Sequence, residues 1–124
     1  MGSIETTYDL SKDLTIAKAT GRMTANDFHE WRANYYSGTI TSLILWDLTK
    51  AEVSDIKTED LIDGARRTKN RAHVRRGGKT AAVTSDPLVY GLSRMFEAHS
   101  EFEDMPFAVQ VFRSVDKARE WLGI

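Results

Sequence analysis

Cysteine is absent from the 124-residue chain, which excludes a disulfide framework and any thiolate-based zinc site, nucleophile or redox motif. The 3 histidines, His29, His73 and His99, form no pair at four-residue spacing, so the helical zinc motif is missing. No apolar run reaches the roughly 18 residues that a membrane-spanning helix needs. The N-terminal residues also lack a basic region followed by an apolar one. We therefore predict a cytoplasmic protein.

Recognisable catalytic motifs are also missing. There is no GxSxG nucleophile elbow, and the segment "RRGGKT", residues 75–80, lacks the first glycine and the spacing of a phosphate loop. That segment precedes a predicted strand, whereas a phosphate loop precedes a helix. Acidic residues concentrate at 55–63 and 97–104, but dense charge on helices and at their ends is typical of solvated surface. We predict no enzyme, no metal site and no cofactor.

The overall composition is that of an ordinary globular protein. Hydrophobic residues make up 41% and charged residues 28% of the chain, and 17 Lys and Arg oppose 18 Asp and Glu. The resulting net charge of -1 gives no reason to expect nucleic-acid binding. The length is suited to a single domain with a proper core, and we assign residues 1–124 to it.

The period of the hydrophobic pattern predicts the element order ββαβαβαβα. Two strands, "SIETTYDL" and "LTIAKATG", flank a polar turn, and three later strands are "SLILWDL", "KTAAVTS" and "FAVQVFRS". The helical segments are "MTANDFHEWRANYY", "TEDLIDGARRTKNR", a helix over 87–101, and "SVDKAREWLG". This order predicts an α/β fold with a five-stranded mixed, mostly parallel sheet and four helices, in which only the first strand is antiparallel.

Helix starts carry clear signals. Thr24 and Asp27 form a capping-box pattern, Asp86 precedes a proline suited to the first helical position, and Ser114 is a cap. In the helix over 87–101, the predicted inner face consists of Leu88, Leu92, Met95, Phe96 and His99. The predicted outer face consists of Tyr90, Arg94, Glu97 and Glu101. The apolar stripe has two interpretations, a helix that covers a sheet or one wall of a ligand cavity.

The predicted core combines strand and helix residues. Its members are Leu43, Leu45, Ala82, Val109, Val111, Leu88, Leu92, Phe96 and Trp121.

Several segments resemble a known family. The hairpin followed by "GRMTANDF", "LILWDLTKAEVS", "KTAAVTSDPLVYGLSRMFEA" and "FAVQVFRSVDKAREWL" resembles the SpoIIAA-like group of the STAS superfamily, the sulphate-transporter and anti-sigma-factor-antagonist domains. The resemblance covers nearly the whole chain, and "YGLSRMFEA" with the terminal "EWL" is its most specific part. The fold of this group is similar to anti-sigma-factor antagonists and to CRAL-TRIO lipid-transfer domains. The resemblance therefore implies non-catalytic binding of a protein partner or of an apolar ligand.

The resemblance also allows a test for a phosphoserine switch. In phosphorylatable antagonists, the matching strand leads into an Asp-Ser-Ser-Gly turn, and the corresponding positions here are Asp55, Ile56, Lys57 and Thr58. Both serines are missing, so we do not expect the usual switch. Ser54 and Thr58 supply hydroxyls nearby, and we interpret them as capping residues.

One basic tract stands out from the neutral composition. The segment "RRTKNRAHVRRGGK", residues 66–79, contains seven Lys or Arg and no acid. Such a tract can simply be the cationic end of a helix followed by a soluble loop. It can also contact a lipid headgroup, an anionic membrane surface or an acidic protein. We predict a partner or anion surface formed by Thr58, Arg66, Arg67, Arg71, Arg75, Arg76, Tyr90 and Arg94.

A ligand site is predicted between the helices over 58–71 and 87–101. We expect a small amphiphilic anion to pack there, with its headgroup at the basic tract, because residues 72–78 offer almost no apolar anchor to hold the first helix. The predicted walls are Leu61, Ile62, Ala65, Met95 and Phe96. The alternative is a regulatory protein partner, and peripheral membrane contact and a homodimer are further expectations.

Overall fold

A computed structural model describes residues 2–124 of the chain. The strands are β1 Ser3–Asp9, β2 Leu14–Arg22, β3 Leu43–Glu52, β4 Lys79–Val83 and β5 Ala108–Phe112. The helices are α1 Ala25–Ser37, α2 Thr58–Lys69, α3 Pro87–Phe102 and α4 Val115–Leu122. Short 3-10 turns lie at Leu10–Lys12 and Ala72–Arg75. The predicted α/β element order is confirmed.

The five strands form one sheet in the order β1-β2-β3-β4-β5. β1 is antiparallel to β2, and the other neighbouring pairs are parallel, as the sequence predicts. Side chains alternate between the two faces of a strand. The pairing of Trp46 with Ala82 and of Ala82 with Val111 therefore places these three residues on one face. Helices α1, α2 and α3 cover this face, and α4 covers the other.

The α4 face carries a compact apolar core. Leu14, Leu45 and Val83 from three strands pack against Ala118 and Leu122 of α4. Partly buried Leu43 and Trp121 border this cluster, in agreement with the predicted core. Because large apolar side chains occupy both the sheet and the helix here, little space is left between them.

The predicted caps of α1, α3 and α4 are present, whereas the interpretation of Ser54 and Thr58 as caps is wrong, because α2 is capped at Lys57 through the Asp60 carboxylate. The Asp27 backbone N–H donates to Thr24 Oγ1 at 3.2 Å, and the Thr24 N–H donates to the Asp27 carboxylate at 2.8 Å. Asp86 Oδ1 accepts from the Leu88 N–H at 2.9 Å. Ser114 Oγ accepts from the Lys117 N–H at 3.2 Å. These short-range contacts fix where α1, α3 and α4 begin.

The buried face of α3 differs from the predicted one. Leu88, a predicted core residue, is 54% exposed, whereas its neighbour Val89 is buried. Glu97, predicted on the outer face, is buried, and its carboxylate accepts from the backbone N–H of Val111 at 3.1 Å. β5 is an edge strand, so its backbone donors need partners outside the sheet. Arg94 lies 3.1 Å from the other Glu97 oxygen and balances its charge.

Within residues 2–124, no helix is both long and apolar enough to cross a lipid bilayer.

Candidate functional site

A cavity of about 150 Å³ lies between the sheet and helices α1, α2 and α3. Its walls are formed by these three helices and by strands β3, β4 and β5. The apolar lining includes Phe28, Trp46, Leu61, Leu92, Phe96 and Val109. The cavity is partly open to solvent, and close packing between a sheet and its helices usually leaves little such space, so it is a distinct feature of the α1–α3 face.

Small side chains explain why the cavity exists. Ala82 lies on the sheet floor, and Ala25, Gly64 and Ser93 line the cavity from α1, α2 and α3 respectively. None of these residues reaches far into the space between the layers. The opposite face also contains small residues, Ala81 and Ala118, but there Leu14, Leu45 and Leu122 fill the space around them.

Arg32 of α1 brings a positive charge to this mainly apolar cavity. It follows Phe28 by four residues, so both lie on the same face of the helix, and both line the cavity. One guanidinium nitrogen lies 3.1 Å from His29 Nδ1. No carboxylate within residues 2–124 forms a salt bridge with Arg32. Burial lowers the pKa of Arg32, but an arginine side chain stays protonated in proteins.

His29 connects this arginine to the surface. Its Nε2 lies 3.6 Å from the Asp63 carboxylate. Burial, followed by the charges of Arg32 and Arg67, lowers the pKa of His29. The neutral ring can therefore accept from Arg32 at Nδ1 while its Nε2–H faces Asp63.

This arrangement predicts that His29 contributes less to stability in mild acid. The unfolded chain takes up a proton at His29 near its ordinary pKa of about 6.5, before the folded protein does. The contribution of His29 is therefore present above about pH 6.5 and is lost as the pH falls toward the lowered pKa of the folded state. We expect His29→Gln to reduce the pH dependence of the urea midpoint between about pH 7.5 and about pH 5.5. An unchanged dependence would contradict a neutral, partly buried His29.

A second cavity of about 60 Å³ adjoins the first. Its lining is rich in aromatic residues, namely Phe28, Trp31, Tyr35, Tyr36, Trp46, Phe96 and Phe107. The rings of Trp31 and Trp46 lie 4.6 Å apart between centroids. Two arginines, Arg32 and Arg75, also line this space, and among the described residues no acidic side chain does.

Arg75 requires a correction to the predicted anion surface. It is only 3% exposed, and its guanidinium donates to the carbonyl oxygens of Thr41, Ser42 and Lys79 at 3.0 to 3.1 Å. It also donates to Thr80 Oγ1 at 2.9 Å. Its guanidinium carbon lies 4.4 Å from the centroid of the Phe107 ring. Arg75 thus stabilises the fold, and it ties residues 72–78 firmly to the sheet, contrary to the predicted weak link.

The arginines of the basic tract other than Arg75 are exposed, but two of them form salt bridges. Arg66 lies 3.6 Å from Glu103, and Arg67 lies 2.9 Å from Asp63. Arg71 and Arg76 are exposed and make no salt bridge to any residue that the structure describes. The cations therefore do not form one continuous unpaired surface.

Only some of the predicted ligand residues line the larger cavity. Leu61 and Phe96 line the larger cavity, whereas Ile62, Ala65 and Met95 do not. The prediction placed the site between α2 and α3 alone, but these helices pack against each other and Ala65 is fully buried. The open space lies beneath the helices, where α1 supplies a third wall.

The remaining predicted surface residues lie near the helix starts. Thr58 is exposed at the first residue of α2, where the Lys57 backbone N–H donates to Asp60 at 2.8 Å. Tyr90 is half-buried beneath Arg113, whose guanidinium carbon lies 4.1 Å from the ring centroid. Arg94 is exposed and paired with Glu97.

Sequence reasoning missed Arg32 and His29 as site residues. The available signal was a cation four residues after Phe28, on the apolar face of α1. A charged residue in such a stripe requires either a partner or a solvated opening. No group of three or more His, Asp or Glu side chains suited to a metal ion occurs in the described range, 2–124.

Comparison with known proteins identifies the fold. Family models and curated proteins give no match to this sequence. Among solved structures, the chain is similar to an uncharacterised DUF3478-family protein with a SpoIIAA-like fold from Shewanella loihica PV-4. Its TM-score is 0.60 at 16% identity, over 98% of this chain and 93% of that one. The chain has the SpoIIAA-like fold.

Two anti-sigma factor antagonists share this SpoIIAA-like fold. Unphosphorylated SpoIIAA gives a TM-score of 0.59 at 8% identity, over 93% of this chain and 92% of that chain. An antagonist from Mycobacterium paratuberculosis gives 0.52 at 9% identity, over 100% and 96%. Identities this low establish the fold and leave the function to be argued from the site.

Proposed function

We propose that this SpoIIAA-like protein is a non-enzymatic binding protein whose larger cavity holds the apolar part of a small amphiphilic anion. The observation that carries the proposal is the combination of an apolar cavity of about 150 Å³ with Arg32, which has no carboxylate partner among residues 2–124. An apolar wall favours a hydrocarbon group, and an uncompensated guanidinium favours an anion. A ligand that carries both would satisfy both features of the site.

The size of the cavity limits the ligand. Apolar cavities of about 150 Å³ engineered into other proteins stay dry and bind benzene. A single ring or a short alkyl chain is therefore a suitable occupant, whereas a long acyl chain would require α2 or α3 to move. Trp46 and Phe96 at the junction with the smaller cavity would contact the part of the ligand nearest its charged group.

The surroundings of His29 support binding without catalysis. His29 is the residue of the site best suited to act as a base, but its Nδ1 accepts from Arg32 and its Nε2 faces Asp63. Within the described range, no hydroxyl group is hydrogen-bonded to His29, so the site lacks a nucleophile–base pair.

Filling the cavity should weaken ligand binding without destabilising the fold. We expect octanoate to raise the melting temperature of the protein and to give a one-to-one complex in native mass spectrometry. Ala82→Leu places three further carbon atoms on the cavity floor, so we expect it to lower octanoate affinity by about tenfold or more while leaving stability equal or higher. Ala98→Leu adds the same atoms on the exposed side of α3 and is the matched control. Equal octanoate affinity in all three proteins would contradict the proposed site.

A second candidate is a protein-interaction module, favoured by the two antagonists of the same fold. The starts of α2 and α3 follow β3 and β4 at the same edge of the sheet, where Thr58 and the unusually exposed Leu88 offer a contact surface. This alternative predicts that octanoate changes neither the melting temperature nor the observed mass. Peripheral membrane contact through Arg71 and Arg76, and self-association, remain predictions.

A further inference from the structure

The two cavities are neighbours that share part of their lining, and Arg32 belongs to the shared part. Five residues line both cavities, namely Phe28, Arg32, Trp46, Thr80 and Phe96. The larger space is mostly apolar, whereas the smaller one has two arginines and no acidic lining residue in the described part of the chain. A ligand that extends from one space to the other would pass its polar end along Arg32.

The two arginines differ in the donors that they can offer. A guanidinium has five N–H groups. Arg75 already uses its donors on four protein acceptors. Arg32 has one hydrogen-bond partner, His29 Nδ1, among residues 2–124. Arg32 is therefore the residue with an available pair of donors, and Arg75 adds positive potential behind it.

Gly64 of α2 leaves room for the Arg32 side chain. A Cβ atom at this position would lie 3.2 Å from a terminal guanidinium nitrogen of Arg32. Glycine within a helix lowers stability by roughly 0.5–1 kcal/mol relative to alanine. Its presence opposite Arg32 means that position 64 adds no side-chain atom next to this nitrogen.

We propose that the anionic group of the ligand is a carboxylate held by the free edge of Arg32. This inference rests on the proposed function. A carboxylate is planar and carries one negative charge, so its two oxygens match the parallel N–H groups of one guanidinium. A phosphate monoester carries roughly 1.5 to 2 negative charges. It would need further donors, and Asp60, which lines the larger cavity, would repel its higher charge more strongly than the single charge of a carboxylate.

The test compares three eight-carbon ligands that differ only in the head group: octanoate, 1-octanol and octyl phosphate. Binding can be followed by tryptophan fluorescence because Trp46 lines both cavities. We expect wild-type protein to bind octanoate roughly ten- to a hundredfold more tightly than octanol, the usual gain from hydrogen bonds to a charged group. Octyl phosphate should bind more weakly than octanoate.

Variants then assign this preference to one residue. Arg32→Met should reduce octanoate affinity to about that of octanol, and octanol binding that persists in this variant shows that it is folded. Arg32→Lys keeps the charge but loses the paired donors, so its octanoate affinity should lie between those of wild type and Arg32→Met. Arg71→Met removes an exposed cation of the basic tract and should bind like wild type.

The outcomes separate this inference from the function on which it rests. Equal affinity for octanoate and octanol in wild type, or a preference that persists in Arg32→Met, would overturn the role of Arg32 while the cavity remains a binding site. Tighter binding of octyl phosphate than of octanoate would overturn the carboxylate assignment. Failure of both octanoate and octanol to bind would overturn the proposed function itself.

Discussion

Replacing Arg75 with Met is expected to lower the free energy of unfolding by about 3 kcal/mol or more. The substitution keeps most of the apolar stem but removes donors from three backbone carbonyl oxygens and from Thr80 Oγ1. The Thr41 oxygen keeps the Tyr35 hydroxyl and the Ser42 oxygen keeps the Lys79 N–H as donors, so the loss is that of the hydrogen bonds to a charged group, each worth roughly 1.5–3 kcal/mol. The contact with the Phe107 ring is lost as well.

The neighbouring Arg76 provides a matched control. It is exposed and forms no salt bridge within the described range 2–124, so Arg76→Met should change stability by no more than about 0.5 kcal/mol. Urea denaturation, with equal m-values for all proteins, measures both effects. Similar midpoints for the two variants would show that Arg75 does not hold the loop before β4 to the sheet.

Gly78→Ala is expected to destabilise the protein by about 2 kcal/mol or more. A Cβ atom at this position would collide with the carbonyl oxygen of Ser42 and lie 2.9 Å from that of Arg75. Both neighbours are backbone atoms held in place, because the Lys79 N–H donates to the Ser42 oxygen and the Gly78 N–H donates to the Arg75 oxygen. The strain therefore cannot be relieved by a side-chain rotation.

Gly91→Ala, in contrast, is expected to stabilise the protein. Gly91 is exposed within α3, and a Cβ atom there would meet no heavy atom within 4 Å. Alanine is the better helix former, so stability should rise by roughly 0.5–1 kcal/mol. Thermal melts of both variants test these two predictions. A Gly78→Ala protein as stable as the Gly91→Ala protein would contradict the close approach of β4 to Ser42, the residue before β3.

The element order could be predicted from the sequence because its signals are local. The alternation of apolar residues marks the strands, and Thr24, Asp86 and Ser114 mark helix starts through contacts within three residues. The antiparallel first strand followed from the short turn between β1 and β2. These features need no knowledge of how distant segments pack.

The orientation of α3 and the position of Arg75 could not be predicted in the same way. Glu97 is buried because an edge-strand N–H at Val111 needs an acceptor, and this contact joins residues fourteen positions apart. Arg75 is buried because the loop before β4 aligns it with carbonyl oxygens at Thr41 and Ser42, more than thirty positions away. From the hydrophobic periodicity alone, both charged side chains are predicted to lie on the surface.

The candidate site was predicted only in part. Leu61 and Phe96 were identified because they lie on apolar helix faces, and both line the cavity. The cavity itself depends on the meeting of small residues such as Gly64 and Ala82, which are unremarkable in the sequence. Arg32 gains its significance only when α1 brings it over this space.

The most direct measurement is a two-dimensional ¹H–¹³C methyl NMR titration of the wild-type protein with octanoate. The proposed site predicts saturable shifts at Leu61, Leu92 and Val109, which line the cavity. Leu14, Val83 and Leu122, in the core on the α4 face, should remain unchanged. Shifts that never saturate, or shifts confined to exposed residues such as Leu88, would contradict a ligand site beneath helices α1, α2 and α3.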